Sequence, residues 1–448
     1  MNFEFRCLSS KIAAWAFNFC IFHYLAAVSL NIPKDLIMAI NNSISEKTAL
    51  YIQTEELYGA HNYHPLPVVL SKGKGSLVWD VEGKRFFDFL SGYSAVNQGH
   101  CHPRIISALI EQAQQLTLTS RAFHSDKMAS YTQYITKYFG YEKVLPMNTG
   151  VEAVETALKL ARKWGYKVKG VPSNTAKIIT VEGNFHGRTI NVVSFSTDPA
   201  AKNGFGPFVQ GYITIPYNDL SALKDALQDS AVVGFLVEPI QGEAGVLVPD
   251  DGYLREAYAL CNAHSVLFIA DEVQTGLCRT GRMLACDHEG VRPDILILGK
   301  ALSGGVLPIS AVLADDRVML SIGPGEHGST YGGNPLACAV AIAALAVLEE
   351  EKLDKRAQEL GEYFREKLRA IHHPAVETIR GKGLLNAIVI KHKDPQAAYT
   401  LCLALMRNGL LAKPTHGDKI RFAPPLVISK GEIDQAVEII KVSLDVLT

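Results

Sequence analysis

The sequence predicts an α/β protein, a large domain with a mainly parallel sheet plus a smaller α+β domain. Three observations predict it. Short apolar runs rich in β-branched residues, KIITV (177–181), VVGFLV (232–237), VLFIA (266–270) and ILIL (295–298), recur through the middle of the chain. The intervals between them carry helical periodicity, the alternation of a parallel sheet covered on both faces. The chain, at 448 residues, is about three times a rough 150-residue allowance for one domain.

Taken in order, the elements begin with an ambiguous N-terminus. Between Lys11 and Lys34 there is no formal charge, over a length that suits a signal sequence or a membrane anchor. Asn18, His23 and Asn31 interrupt the stretch, no small-x-small cleavage site closes it, and it lacks the Arg-rich character of a mitochondrial presequence. Met38 reads equally as an ordinary cytosolic start. The expectation is a fold beginning near Ser43, with residues 1–37 an extension outside it and no membrane partner. The expected location is cytoplasmic, or the mitochondrial matrix if that extension is a targeting segment. Further on, Val151, Val154, Leu158 and Ala161 mark one helical face behind Thr149-Gly-Val-Glu152, which has the spacing of a capping box. The charged stretch 348–371 opens a second region of helix and short strands, with a boundary near residue 345. A final helix follows a second capping box, Ser429 and Glu432, with Ile433, Val437, Ile440, Leu444 and Leu447 inside.

Composition narrows the partners. With 44 Lys+Arg against 45 Asp+Glu, no global field recruits a polyanion, so nucleic acid is not expected. The cysteines, Cys7, Cys20, Cys101, Cys261, Cys278, Cys286, Cys338 and Cys402, form no CxxC pair, which argues against a zinc site or a disulfide framework. His100, Cys101 and His102 are close in sequence, but alternate side chains of an extended segment point to opposite faces, so no metal is expected. GxxxxGK[ST] and HExxH are absent, and no GxGxxG follows a strand.

In open α/β sheets ligands lie beyond the carboxyl ends of the strands. Those ends are polar here: VLFIA leads to Asp271-Glu272, ILIL to Gly299-Lys300, VVGFLV to Glu238, and KIITV to EGNFHGR. A carboxylate and a lysine on one rim form a salt bridge in the simplest reading. The other reading starts from cost, because an ammonium against a buried strand loses several kcal/mol of hydration unless it is paired or chemically converted. A lysine desolvated in this way becomes a nucleophile toward an aldehyde. The aldehyde cofactor that uses such a lysine is pyridoxal phosphate, whose ring nitrogen needs a carboxylate, and Asp271 suits that place. The helix opened by NTGVEA offers backbone N–H groups to a phosphate, or is simply an ordinary cap.

The set MNTGVEAVETALKLAR, GNFHGRT, VEPIQGEAGV, FIADEVQTGLCRTGR, DILILGKALSGG and GSTYGGNPLA resembles the class III subgroup of fold-type I pyridoxal-phosphate aminotransferases, which act on ω-amino groups. The resemblance runs from about residue 55 to the C-terminus. YGAHNYHPLPVVL, SAVNQGHCHP, RGKGLLNAIVI and GLLAKPTHGDKIRFAPPLVI are most similar to the members that use ornithine. The resemblance implies residues 38–95 as an N-terminal segment associated with the small domain, 96–345 as the large cofactor-binding domain and 346–448 as the small domain. It implies pyridoxal 5'-phosphate bound to Lys300, which would also move the proton, and Asp271 on the ring nitrogen. Gln274 would reach the ring hydroxyl, Phe185 would stack on the ring, and Gly150 and Val151 would hold the phosphate. Thr330 would join them from a neighbouring subunit, so a homodimer or higher oligomer with shared sites is expected.

The same resemblance implies L-ornithine and 2-oxoglutarate as alternating substrates of one pocket. Arg421 would bind the α-carboxylate of the dicarboxylate and be masked by Glu243 while the diamine is present. Arg188 would hold the far carboxylate with its planar fork, Tyr63 would recognise ornithine's α-amino end, and Tyr93 would line the pocket. By residue type alone, Tyr63 and Tyr93 are equally core aromatics with a wet tip, and the two arginines surface charge. His186 departs from the tryptophan of several ornithine enzymes and matches related ω-aminotransferases. Acetylornithine and 4-aminobutyrate are the alternative amino donors.

Overall fold

The computed structural model describes residues 44–448, so the expected extension 1–37 and the expected start near Ser43 lie outside the described residues. The chain divides into two units, residues 1–69 and 70–448. In the first, helix α1 (Glu46–Tyr58) is capped by Ser45, whose hydroxyl accepts the N–H of Thr48 at 3.1 Å. Residues 60–69 follow without helix or strand.

The second unit opens with strands β1 (Leu70–Lys74), β2 (Leu77–Asp80) and β3 (Arg85–Asp88), then helices α2 (Pro103–Ala113) and α3 (Asp126–Phe139). A seven-stranded sheet follows, built from β4 (Lys143–Met147), β5 (Lys177–Val181), β6 (Tyr212–Ile215), β7 (Val232–Val237), β8 (Leu267–Asp271), β9 (Ile295–Leu298) and β10 (Ser310–Ala314). Its spatial order is β4-β10-β9-β8-β7-β5-β6. The five strands from β9 across to β6 pair in parallel, whereas β10 runs antiparallel to both of its neighbours. In consequence the carboxyl ends of β4, β5, β7, β8 and β9 all reach one edge. Ser310, the first residue of β10, meets them there and donates to the carbonyl of Thr149 at 2.7 Å.

Both faces of this sheet are covered, which is why β7 and β9, and β8 up to its closing Asp271, read as unbroken apolar runs, with all three strands buried along their whole length. On one face lies helix α4 (Gly150–Trp164), whose Val154, Leu158 and Ala161 pack in one core with Val233, Leu267, Ile269, Ile297 and Val312. On the other, α5 (Tyr253–Ala263) covers Phe235 and Phe268, whose rings meet edge-on at 5.7 Å. Each such side chain contributes about 1.5–3 kcal/mol by leaving water. The strands expected at 177–181, 232–237 and 295–298 are found there, and the one expected at 266–270 is shifted by one residue.

Beyond the sheet come α6 (Pro335–Glu350), α7 (Leu353–Arg369), β11 (Val376–Lys382), β12 (Leu385–Ile390), α8 (Ala397–Arg407), β13 (Leu410–Leu411), β14 (Lys413–Thr415), β15 (Lys419–Phe422) and α9 (Lys430–Leu444). Strands β11, β12, β15 and β14 form a four-stranded sheet, and β13 pairs in parallel with β3 in another. The charged stretch 348–371 is therefore two helices, broken where Lys352 takes φ 53°. Both expected capping boxes form, at Thr149 with Glu152 and at Ser429 with Glu432. Leu447 lies past α9 in a short 3₁₀ turn, and is buried.

Gly361, inside α7, gives a test of this packing. In a helix interior alanine ordinarily gains about 1 kcal/mol over glycine. Here a Cβ at Gly361 would sit 1.8 Å from the carbonyl oxygen of Gly383, so the helix would be forced off the β11–β12 turn. Gly361→Ala should therefore destabilise, by roughly 1–3 kcal/mol, when thermal or denaturant unfolding is compared with the wild type; a stabilised variant would contradict this packing.

Candidate active site

The functional residues gather at the carboxyl edge of the seven-stranded sheet. Lys300 follows β9 after Gly299, in a short 3₁₀ turn, with φ 43°. A left-handed backbone at a non-glycine residue is a form of strain that collects at functional positions. Among the described residues no hydrogen-bond partner is found for its ammonium. Burial depresses its basicity, working against the charges of Glu243 and Asp271, which raise it, and with Arg421, which lowers it further.

One strand away, β8 ends in Asp271, whose register partner is Ile297 of β9. Its carboxylate is aimed from both sides: Oδ2 accepts from Nδ1 of His186 at 2.6 Å, and Oδ1 from the backbone N–H of Val273 at 3.1 Å. Burial pulls the proton affinity of His186 down, but the bond to Asp271 and its charge more than offset this, so the imidazole binds its proton more tightly than usual. The other ring nitrogen of His186, buried, has no hydrogen-bond partner among the described residues. Glu238, at the end of β7, accepts the backbone N–H of Phe185 at 3.0 Å, and burial pushes its carboxyl up to about 7. Phe185 is thus fixed through its backbone, with the guanidinium of Arg188 5.2 Å from its ring.

The phosphate-type element is the start of α4. Thr149 caps Glu152, whereas the amides of Gly150 and Val151 lie in the first turn, where no intrahelical acceptor exists. Close approach is enforced opposite, because Gly187 takes φ 122° and a Cβ there would come within 2.5 Å of the Val151 side chain. Only a glycine leaves that space.

The second charged group is a triad of Glu243, Gln274 and Arg421. Arg421, on β15, is buried to 1% exposure, and its Nη1 donates to Glu243 Oε1 at 2.7 Å and to Gln274 Oε1 at 3.1 Å. Gln274 Nε2 donates to the same Glu243 oxygen at 3.0 Å. Burial raises the carboxyl of Glu243, but Arg421 and Lys300 outweigh it, so the group stays ionised below the usual range. Nε and Nη2 of Arg421 are buried without hydrogen-bond partners among the described residues. A buried guanidinium with one edge unsatisfied is suited to a bidentate carboxylate. The ring of Tyr93 lies 5.2 Å from the guanidinium. A cleft of about 280 Å³ opens beside this group, lined by Phe185, His186, Arg188, Asp198, Glu243 and His416 among others.

The structure thus brings together Lys300, Asp271, Phe185, Gly150, Val151, Gln274, Glu243, Arg421, Arg188 and Tyr93. Of the other two expected residues, Thr330 is exposed on the loop before α6, and Tyr63 belongs to the N-terminal unit and is 71% exposed. Gln274, expected at a ring hydroxyl, here has its amide engaged by Glu243 and Arg421. Sequence reading gave no role to His186 against Asp271 or to Glu238 under Phe185; the polar residue closing each apolar run was the available signal.

The residues present fit an aldehyde cofactor with a phosphate: an amine without hydrogen bonds among the described residues, a carboxylate aimed by two donors, and a helix start with glycine opposite. The Aminotransferase class-III family profile matches residues 58–444. A curated relative, the mitochondrial ornithine aminotransferase of Rattus norvegicus, is 63% identical over 388 residues, covering 87% of this chain and 88% of the relative. The crystal structure of ornithine aminotransferase from Toxoplasma gondii, with partial pyridoxal-phosphate occupancy, superposes with TM-score 0.88 at 50% identity, over 92% of this chain and 97% of that one. The acetylornithine aminotransferase of Elizabethkingia anophelis superposes with TM-score 0.82 at 55% identity, over 89% and 98% of the two chains.

The elevated Glu238 carboxyl has a measurable consequence. The folded state holds its proton up to about 7, whereas the unfolded chain releases it near 4.3, so between those values the native state binds more protons and stability falls as pH rises. Glu238→Gln keeps an acceptor for Phe185 and removes the titration. Its stability relative to wild type should improve by roughly 3 kcal/mol between about pH 4 and 8, and a pH-independent difference in unfolding free energy would contradict the assignment.

Proposed function

The chain belongs to the class-III aminotransferase family, and within it we propose that it transfers the δ-amino group of L-ornithine to 2-oxoglutarate, giving glutamate 5-semialdehyde and glutamate. The observation that carries this reading is the buried Arg421 paired with Glu243, because one pocket must accept a donor with no carboxylate at its reacting carbon and then an acceptor that has one. Paired, the guanidinium is neutralised and suits the diamine. Once Glu243 withdraws, Arg421 offers its donors to the α-carboxylate of 2-oxoglutarate.

The cofactor is pyridoxal 5'-phosphate, which when bound supplies an electron sink for the carbon that loses its proton. Asp271, aimed by His186 and Val273, would hold the ring nitrogen; Phe185 would hold the ring face, and the amides of Gly150 and Val151 the phosphate. Lys300 Nζ, its basicity lowered by burial, would take the proton from the donor's δ-carbon and pass it to the cofactor within the first half-reaction, and would run the reverse transfer onto the acceptor's α-carbon in the second. Arg188 at the cleft rim would meet the far carboxylate. Tyr93 braces Arg421, and the role of Tyr63 at ornithine's α-amino end rests on its motif. Thr330 completing the phosphate site of a second copy makes a homodimer the proposed assembly.

Among the described residues no helix is long and apolar enough to cross a membrane. The name of the rat relative favours a mitochondrial location, the alternative expected from sequence, over the cytoplasm.

A second reading, an ω-aminotransferase for acetylornithine or 4-aminobutyrate, is favoured by the likeness to the Elizabethkingia enzyme. Steady-state comparison of the three amines decides, with kcat/KM for ornithine expected to be highest; a poorer ornithine sinks the first reading.

Two variants probe the assigned roles. Lys300→Ala should retain the cofactor while turnover falls at least about 10²–10⁴-fold, and near-wild-type turnover would remove Lys300 from its role. Glu243→Ala should leave Arg421 unmasked and raise the preference for glutamate over ornithine as amino donor by about tenfold; unchanged selectivity would refute the exchange.

A further inference from the structure

We propose that Asp88 is a positioning residue for substrate selection, setting Tyr93 against Arg421 through a left-handed turn. The inference rests on the reading of Glu243 and Arg421 as the exchange between diamine and dicarboxylate.

Ser91, Gly92, Tyr93 and Ser94 take φ of 51°, 56°, 60° and 69° in succession. L-residues oppose this conformation, and a run of it persists only where the surroundings over-determine it. The surroundings are specific. Asp88, buried at the end of β3, accepts the backbone N–H groups of Leu90 at 2.9 Å and Ser91 at 2.8 Å on one oxygen. Its other oxygen is bonded by His100 Nε2 at 2.7 Å. His100 is itself fixed by two backbone bonds with Gly75, at 2.9 and 3.0 Å, and its ring fills the space where a side chain at Gly73 would be.

The other side of the turn is fastened to the strand that carries Arg421. Ser91 Oγ donates to the carbonyl of Ala423 at 2.6 Å, and the N–H of Ala423 donates to the carbonyl of Phe89 at 2.8 Å. Phe89 and Phe422 meet edge-on at 5.9 Å. Ala423 is two residues past Arg421, so one short stretch of backbone carries the guanidinium and anchors the turn that presents Tyr93 to it. Asp88 forms no hydrogen bond to Lys300, Asp271, Glu243 or Arg421. Its influence on the reaction passes through the plane in which Tyr93 holds the guanidinium, with Nη1 toward Glu243.

A merely structural Asp88 would weaken both half-reactions alike, whereas a positioning Asp88 changes their ratio. The test measures kcat/KM for ornithine and for glutamate as amino donors, and the calorimetric Kd of glutarate, an unreactive dicarboxylate, in Asp88→Ala, Asp88→Asn and Ser91→Ala. Asp88→Ala should lower the ornithine-to-glutamate ratio about tenfold and Ser91→Ala about threefold, with glutarate binding about fivefold tighter in Asp88→Ala as the pair loosens. Asp88→Asn, whose amide oxygen still accepts both N–H groups, should stay within about twofold of wild type. Parallel losses with an unchanged ratio and unchanged glutarate affinity overturn the inference. If Asp88→Ala fails to fold, Ser91→Ala decides by the same readouts. A wild type that does not use ornithine removes the functional reading instead, and the glutarate comparison then still judges the positioning.

Discussion

A half-buried amine given no hydrogen bond among the described residues is an unstable arrangement, and most of this site is organised around the one at Lys300. Its desolvation is opposed by Glu243 and Asp271 and reinforced by Arg421. Those groups come from a loop after β7, the end of β8 and the distant strand β15. They can meet because the parallel sheet delivers its carboxyl ends to one edge, while Ser310 of antiparallel β10 ties that edge to the start of α4. The fold is therefore a device for concentrating opposite charges where water is scarce, and low-dielectric surroundings make each of them count for more.

The same scarcity of water explains the two supporting layers. Asp271 is held by His186, and Phe185 by Glu238, so the carboxylate and the aromatic ring are oriented by groups that are themselves buried. Preorganisation of this kind removes the cost of reorienting dipoles during the reaction. Arg421 differs, since its pairing with Glu243 and Gln274 satisfies only part of a buried guanidinium. Under the proposed exchange, a partner that leaves in one half-reaction and returns in the next would have to be bonded without being saturated. The tenfold-scale selectivity asked of such an exchange corresponds to ~1.4 kcal/mol, within what one charged hydrogen bond supplies.

Much of this was legible in the sequence where a single physical rule decided the outcome. Runs such as VVGFLV are apolar throughout because both sheet faces are covered, so their position and type could be read directly. The places of Lys300 and Asp271 at strand ends were legible because a charge closing an apolar run is costly, and the capping box at Thr149 because its spacing is local. What could not be read depended on contacts between distant segments. Ser91-Gly-Tyr-Ser94 carries no pattern that signals a left-handed turn; it is imposed by Asp88, His100 and Ala423, which tertiary packing brings together. The break at Lys352 and the engagement of Gln274 by Arg421 were hidden for the same reason.

Treating the protein with pyridoxal phosphate and borohydride, then mapping peptides by mass spectrometry, addresses the central claim most directly. A single pyridoxyl addition on the peptide containing Lys300 is the predicted result. An addition confined to another lysine, or none at all in protein shown to be folded, would contradict the account.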